Sequence, residues 1–208
     1  MQEEPAGITF REMMTGSFAL GETDPEAGAA RGAAAKTSLT MHATVTVHDV
    51  DRFISDPHHL GSLVGNIDFA PFGSGMPSSK GVFNLFAPSD VPRLKYMVYE
   101  LAFAHADQPY YLAGKKHVRD DAGFDLLRDT TTLLTTLHEG SDATGRIVGA
   151  GILKLGMGDF AKLLTTVRPT GAHQVKDGTA AVMKFTRFFA GQLMDIYGGA
   201  VGHFLAGG

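Results

Sequence analysis

Apolar and polar residues alternate with a period of two through most of this 208-residue sequence, and this pattern constrains the fold more than any other. Between Leu39 and His48 every second residue is apolar, while Thr or His fills each intervening position. Such alternation is typical of a β-strand with one face in a core. We predict about eight strands of this kind, over residues 8–20, 39–48, 60–69, 80–87, 94–105, 108–119, 127–138 and 145–155.

Glycine is frequent for such a strand-rich chain, with 26 residues, and many of the glycines fall inside or at the edge of predicted strands. These are Gly16, Gly61, Gly65, Gly81, Gly114, Gly149 and Gly151. Glycine weakens a strand, and it is usually found at bulges, at bends or where another segment approaches closely. Because closing a sheet needs such kinks, we predict a mainly β fold for residues 1–208, a single antiparallel, strongly curved β-barrel. An eight-stranded barrel has room for one small ligand.

Helical patterns are few in this sequence. We predict short helices at residues 49–55 and 158–165, and one long C-terminal helix over residues 177–197, where apolar residues recur every three or four positions. The C-terminal helix should pack its apolar stripe against the sheet or across a barrel opening. Two Gly-, Ala- or Ser-rich stretches, 22–36 and 72–80, are predicted to be flexible connections.

A weak internal similarity suggests two related halves. Residues 39–53 and 147–160 each contain a strand, an Asp and a short turn that ends in Phe. The similarity favours either a duplication, with a first half at 8–71 and a second at 80–167, or chance reuse of the same strand–turn pattern.

Composition and motifs exclude several function classes. The chain has no Cys, which removes disulfides, thiolate metal sites and a cysteine nucleophile, and its net charge of −4 argues against a nucleic-acid binder. No GxGxxG, P-loop or GxSxG motif is present, and the histidines lack metal-site spacing, so we predict neither cofactor nor metal. The N-terminus lacks an apolar signal region and no apolar run is long enough to span a membrane, which leads us to expect a cytoplasmic protein.

Several longer motifs carry a family resemblance. Their order along the chain is FREMMTGSF, PHHLGSLVGNIDF, GVFNLF, YMVYELAF, YYLAGKKHVRDDAGFDLLRDTTTLLTTL, GILKLGMGDFAKLLTTVRPTG and FTRFFAGQLMDIYG. This order resembles an accessory, non-flavin region of long actinobacterial oxidoreductases similar to cholesterol oxidases of the glucose–methanol–choline type. The resemblance covers residues 8–197. It implies a module that works beside enzymes acting on steroid-like or lipid-like molecules, with a flavin-dependent oxidoreductase as a partner, and it implies no catalytic residues.

Four residues are candidates for acid–base chemistry. Glu12 and Glu100 each interrupt an apolar strand face, and a buried carboxyl group has a raised pKa unless it is paired. Tyr111 and His117 share a face of one predicted strand and would serve as acid and base if that face lines a cavity. A structural ion pair for either Glu, and a solvated polar segment around His117, are the alternatives.

The aromatic residues of the predicted strands are candidates for ligand contact. A barrel pocket would be lined by Phe10, Phe18, Tyr96, Tyr99, Phe103, His105 and Tyr110. Of these, Tyr99 and His105 would orient the polar end of a ligand together with Glu12 or Glu100. The same aromatic residues are also enough to fill an ordinary core.

Three functions follow from these candidates. The first is binding of a hydrophobic small molecule, such as a lipid, steroid or polyketide, in the barrel pocket, in support of oxidative or secondary metabolism. The second is a cofactor-independent isomerase or cyclase that uses the acid–base candidates in the same cavity. The third is a docking module for a flavoenzyme that binds no ligand.

Overall fold

Eight antiparallel strands close into a barrel in the computed structural model, which describes residues 5–78, 80–92, 94–119, 130–156, 166–171 and 175–197. The sheet contains β1 (Gly7–Leu20), β2 (Ser38–Val47), β3 (Leu60–Phe69), β4 (Gly73–Ser78), β5 (Lys80–Pro88), β6 (Leu94–His105), β7 (Gln108–Arg119), β8 (Thr132–Glu139), β9 (Ile147–Leu155) and β10 (Arg168–Thr170). The strand order β1-β2-β3-β5-β6-β7-β8-β9 returns to β1 through a β1–β9 pairing. The predicted barrel is therefore confirmed.

Two further strands lie outside the closed ring. β4 pairs with β3, and β10 pairs with the start of β1. The prediction of a flexible connection at residues 72–80 was wrong, because Gly75 N–H donates a 2.6 Å hydrogen bond to Asp68 Oδ1 and the segment folds back on β3.

The prediction of a flexible connection at residues 22–36 was also wrong, because an 11-residue helix, α1 (Pro25–Ala35), occupies it. Asp24 caps the helix by accepting a hydrogen bond from Ala27 N–H at 2.9 Å. Gly28 and Gly32, one turn apart, face the barrel, and a Cβ atom on either would collide with backbone of β9 or β1. The small residues that lower helix propensity thus allow α1 to lie directly on the sheet.

Two other helices follow the prediction more closely. α2 (Val50–Ser55) lies at the predicted position, and α3 (Val175–Tyr197) contains the predicted C-terminal helix. The predicted helix at 158–165 lies outside the described residues, and so does the end of the segment 147–160 that resembles 39–53. Among the residues that the structure describes, no helix is both long and apolar enough to cross a membrane.

The core lies inside the barrel, where every second side chain of each strand points. Buried inner residues include Phe10, Met14, Phe18, Met41, Val45, Leu63, Ile67, Phe83, Met97, Leu101, Leu112, Leu133 and Leu153. Hydrophobic burial of this size is the main stabilising contribution to the fold.

Three of the strand glycines, Gly16, Gly149 and Gly151, lie where β1 and β9 close the barrel. At the β1–β9 seam, a Cβ atom on Gly16 would collide with the carbonyl of Ile152, and one on Gly151 would collide with the carbonyl of Ser17. These positions therefore allow close approach of neighbouring strands, as the glycine pattern predicts.

Aromatic side chains close both ends of the barrel. At one end, the turn after β3 places Phe72 against His105 and Tyr110, with ring centroids 4.4 and 4.8 Å away. At the other end, α3 places Phe185 over Phe10, at 5.9 Å. The two ends are separated by most of β1, because Phe18 belongs to the first cluster and Phe10 to the second.

Candidate functional site

Three polar side chains meet inside the barrel near the end that α3 covers. Glu12 points inward from β1, and Tyr99 and Lys116 point inward from the neighbouring strands β6 and β7. In the ring of eight strands, β1 and β6 are four positions apart, so the carboxylate reaches across the interior. We call these residues the inner trio.

Short distances connect the members of the inner trio. The Tyr99 hydroxyl donates a hydrogen bond to Glu12 Oε1 at 3.1 Å, and Lys116 Nζ donates one to the Tyr99 hydroxyl at 3.4 Å. Lys116 Nζ is 3.7 Å from Glu12 Oε2 and 4.7 Å from the centroid of the Tyr99 ring. The Lys116 and Glu12 side chains are only 2% and 4% exposed, so this ion pair is inside the core.

Burial changes the acidity of two members of the inner trio. Desolvation lowers the pKa of Lys116, although the neighbouring Glu12 carboxylate acts in the opposite direction. Desolvation also raises the pKa of Tyr99, and both the charge and the hydrogen bond of Glu12 raise it further. At neutral pH, Tyr99 is therefore a hydrogen-bond donor, and loss of the Lys116 proton is easier than for a surface lysine.

A cavity of about 20 Å³ adjoins the inner trio, enough for about one water molecule. Besides the trio, its lining is mostly apolar and consists of Phe10, Phe83, Leu85, Met97, Thr130, Leu155, Phe185 and Phe189. Glu12 Oε2 is buried and accepts no hydrogen bond, and among the described residues it is the one buried side-chain polar atom in that condition. The cavity is therefore lined by a carboxylate of which one oxygen lacks a donor.

The cover of this cavity is the aromatic face of α3. Phe185 and Phe189 are 1% and 8% exposed and stack on each other, with ring centroids 6.4 Å apart. A β-bulge in β5 holds Phe86 at a φ of 53° and places its ring 5.7 Å from Phe189. A bulky residue in that conformation is strained, so packing under α3 offsets a local backbone cost.

Glu100, Tyr111, His117 and Tyr96 lie on the outer face of the barrel, in contrast to the inner trio. Glu100 was predicted to be buried, and this was wrong, because it follows the inward-pointing Tyr99 and is half-buried on the outside. The Tyr111 hydroxyl donates a 2.6 Å hydrogen bond to Glu100 Oε2, and burial together with this bond raises the pKa of Tyr111. We call Glu100 and Tyr111 the outer pair.

The face that carries Tyr111 and His117 does not line the interior cavity. The His117 ring lies against the Tyr96 ring, with centroids 5.2 Å apart. The condition on which their acid–base role rested is therefore not met at this cavity, and the role itself stays a prediction.

The other predicted ligand contacts divide between the two ends of the barrel. Phe10 and Tyr99 line the cavity. Phe18, Phe103, Tyr110 and His105 belong to the far aromatic cluster around Phe72, where the Phe72 and His105 rings stack with an interplanar angle of 6°. The structure thus brings Phe10, Glu12 and Tyr99 together and separates them from the rest.

Lys116 is the site residue that sequence reasoning missed. Strand alternation puts it on the same face as Val118, opposite Lys115 and His117, but its charge was attributed to the solvated polar segment around His117. The useful signal was the mismatch between its charge and the apolar residues Leu112 and Val118 on its own face.

No group of three His, Asp or Glu residues in the described part of the chain is arranged to hold a metal ion. No protein-family model, curated protein or solved structure matches the chain. Function is therefore inferred from the inner trio, its cavity and its helical cover.

Proposed function

We propose that this chain binds a small, largely apolar molecule in the end of the barrel beneath α3, with one polar group of that molecule at the inner trio. The observation that carries the proposal is the buried Glu12 Oε2, which has no hydrogen-bond donor and belongs to a side chain that lines a cavity. A hydroxyl or amine of a ligand would supply that donor.

The inner trio is not an arrangement that contributes much net stability to the fold. Removing two charges from water costs several kcal/mol per ion, and apolar replacements of buried ion pairs are often neutral or stabilising. Here the ion pair is also longer than a hydrogen bond, and one carboxylate oxygen has no donor. This incomplete satisfaction favours a binding role over a structural one.

The cavity is too small to hold a ligand unless part of α3 moves. A volume of about 20 Å³ admits one water molecule, whereas ligand pockets usually span about 300–1,000 Å³. The Phe185 and Phe189 side chains of α3 fill the space in which the apolar part of a ligand would sit. Binding therefore requires α3 to withdraw these two benzyl groups, and a ligand with two fused rings would replace them.

The attachment of α3 is compatible with such a movement. Two polar contacts of α3 among the described residues are a solvent-exposed Lys184–Asp51 ion pair with α2 at 2.8 Å and a Lys95–Gln192 hydrogen bond with β6 at 2.6 Å. Exposed ion pairs contribute little to stability, so aromatic packing holds most of the cover in place. An apolar ligand would substitute for the same packing.

A matched pair of probes tests the proposal, namely 2-naphthalenemethanol and 2-methylnaphthalene, each titrated into the full chain by calorimetry. They share a ring system, but only the alcohol can donate a hydrogen bond to Glu12. We expect the alcohol to bind about tenfold more tightly, since a hydrogen bond to a charged group contributes about 1.5 kcal/mol or more. Equal affinity, or no binding of the alcohol, would contradict the proposal.

A cofactor-independent isomerase or cyclase is the second candidate, because the carboxylate of Glu12 and the hydroxyl of Tyr99 are in direct hydrogen-bond contact beside the cavity. A carboxylate and a phenol in one apolar site are suitable groups for moving a proton within a substrate. Exchange of ligand C–H for solvent deuterium, lost in Glu12→Gln, would distinguish this function from binding alone.

A further inference from the structure

The inner trio contains a nucleophile as well as hydrogen-bonding groups. We propose that Lys116 Nζ forms a reversible imine with an aldehyde or ketone carbonyl of the bound molecule, so that the site takes apolar carbonyl compounds. This inference rests on the proposed function, since the carbonyl compound must first enter beneath α3.

The position of Lys116 suits this reaction. Its side chain is 2% exposed and lines the cavity, with Nζ held 3.4 Å from the Tyr99 hydroxyl and 3.7 Å from Glu12 Oε2. A carbonyl carbon in the cavity would therefore meet the amine, a phenol and a carboxylate together. Catalytic imine formation needs a nucleophile and a group that transfers protons close to it.

The neighbouring lysine on β7 provides a comparison. Lys115 is exposed on the outer face, where its Nζ lies 5.6 Å from the centroid of the Tyr96 ring. Burial lowers the pKa of Lys116, so a larger fraction of that amine is neutral and able to attack a carbonyl. The same strand thus carries one amine activated by burial and one ordinary surface amine.

The proposed steps conserve atoms and charge. Glu12 accepts a proton from the Lys116 ammonium, and the neutral amine adds to the carbonyl carbon to form a C–N bond. The attacking nitrogen now carries a positive charge and two protons; one of these moves to the carbonyl oxygen, which becomes the hydroxyl of a neutral carbinolamine, while Glu12 keeps its proton. Glu12 then protonates this hydroxyl, which leaves as water, and the protonated imine remains beside the Glu12 carboxylate. The net change is one carbonyl compound and one ammonium converted to one protonated imine and one water, with no oxidant or reductant.

The product satisfies the acceptor that lacks a donor in the structure. A protonated imine has one N–H group, and Nζ is already 3.7 Å from Glu12 Oε2. A small shift of the side chain brings this group within hydrogen-bond distance. The imine therefore retains the charge balance of the site and gives Glu12 Oε2 its donor.

The experiment uses 2-naphthaldehyde with the full chain, followed by borohydride, which reduces an imine to a stable secondary amine. Peptide mapping by mass spectrometry then locates the naphthylmethyl group. We expect about tenfold or more adduct at Lys116 than at Lys115, because only Lys116 lines the cavity that would hold the aldehyde beside its amine. Adduct spread evenly over the lysines would overturn the inference.

Two variants act as controls. Lys115→Met should retain the trapped adduct, and Lys116→Met should lose it; if Lys116→Met alone fails to fold, the double variant Glu12→Gln/Lys116→Met removes both charges and serves in its place. If the total amount of trapped naphthylmethyl adduct in either Lys116 variant equals that of the unsubstituted chain, the inference is also overturned.

Parallel titration with 2-naphthalenemethanol separates the two proposals. Binding of the alcohol without trapping of the aldehyde at Lys116 would refute the imine and leave the binding function standing. Failure of both the alcohol and the aldehyde to bind would refute the binding function and the imine with it.

Discussion

Two Glu–Tyr pairs meet at opposite faces of β6, and they share their chemistry but not their surroundings. Tyr99 and Glu100 are consecutive residues of β6, yet Tyr99 points inward to Glu12 and Glu100 points outward to Tyr111. The outer hydrogen bond is the shorter, at 2.6 Å against 3.1 Å. Geometry of the pair alone does not decide which one is a functional site.

The surroundings separate the inner trio from the outer pair. The inner Glu12 is deeply buried, has a lysine beside it and lines a cavity, whereas Glu100 is half-buried and its carboxylate is within reach of solvent. A charge without full compensation is costly only where water is absent. The comparison teaches that an incompletely satisfied polar group in an apolar core indicates a binding site better than a well-formed hydrogen bond at the surface.

The largest expected effect is that of Lys116→Met, which leaves the Glu12 carboxylate in the core without its cation. We expect the free energy of unfolding to fall by about 3–5 kcal/mol, the usual cost of breaking a buried ion pair on one side. Denaturant unfolding measures this loss. The control is Lys115→Met, an outer-face change on the same strand, which should alter stability by no more than about 0.5 kcal/mol. Equal free energies of unfolding for the two variants would show that the buried Glu12 carboxylate does not need the charge of Lys116.

The double variant Glu12→Gln/Lys116→Met should recover part of that loss. It removes both charges, so the remaining cost is that of buried neutral groups, and we expect it to be about 1–3 kcal/mol more stable than Lys116→Met. A double-mutant cycle from unfolding curves gives the coupling between the two residues. Additive losses would mean that Glu12 and Lys116 do not compensate each other.

The outer pair should be less sensitive to mutation. Tyr111→Phe removes the hydrogen bond to Glu100 but leaves the carboxylate half-exposed and able to bind water, so the expected loss is about 0.5–1.5 kcal/mol. The same unfolding experiment applies. A loss as large as that of Lys116→Met would remove the distinction between the two faces.

The smallest effect is a difference in alkaline stability. The pKa of Tyr99 and that of Tyr111 are both raised above the ordinary value of 10.0, so each protonated tyrosine contributes stability that is complete below about pH 10 and is lost as the pH rises through its folded-state pKa. The free energy of unfolding should therefore fall less between about pH 9 and about pH 11 in Tyr99→Phe and in Tyr111→Phe than in the unsubstituted chain. If the free energy of unfolding falls between these two pH values as much in both variants as in the unsubstituted chain, the raised pKa values are wrong.

Strand alternation made much of the fold predictable. It predicted the strands that form the ring, and it correctly placed every second residue from Leu39 to Val47 on the buried face of β2. It predicted less well where both faces of a strand are apolar, and for this reason Glu100 was expected to be buried. The helix α1 was missed because Ala and Gly in its sequence also suit a loop, and only its contact with the barrel explains them.

The site was harder to predict, because its members come together only through barrel closure. Glu12 and Tyr99 are 87 positions apart in the chain. Alternation gives the side of the sheet to which each side chain points. The position of that side chain along the barrel axis, and the strand that faces it across the interior, depend on register and on the total number of strands. Glu12 and Tyr99 were therefore found as separate candidates, and the lysine that joins them was not.

If α3 covers a site where a ligand meets the inner trio, two neighbouring phenylalanines on that helix should affect ligand binding differently. Phe189 lines the cavity, whereas Phe188 packs outside it, against Phe53 and His59. The measurement is the affinity for 2-naphthalenemethanol of Phe189→Ala and of Phe188→Ala. We predict that Phe189→Ala binds about tenfold more tightly than the unsubstituted chain, because it removes an internal competitor for the space, and that Phe188→Ala binds with unchanged affinity. Affinity unchanged in both variants, or weakened in Phe189→Ala, would contradict the account.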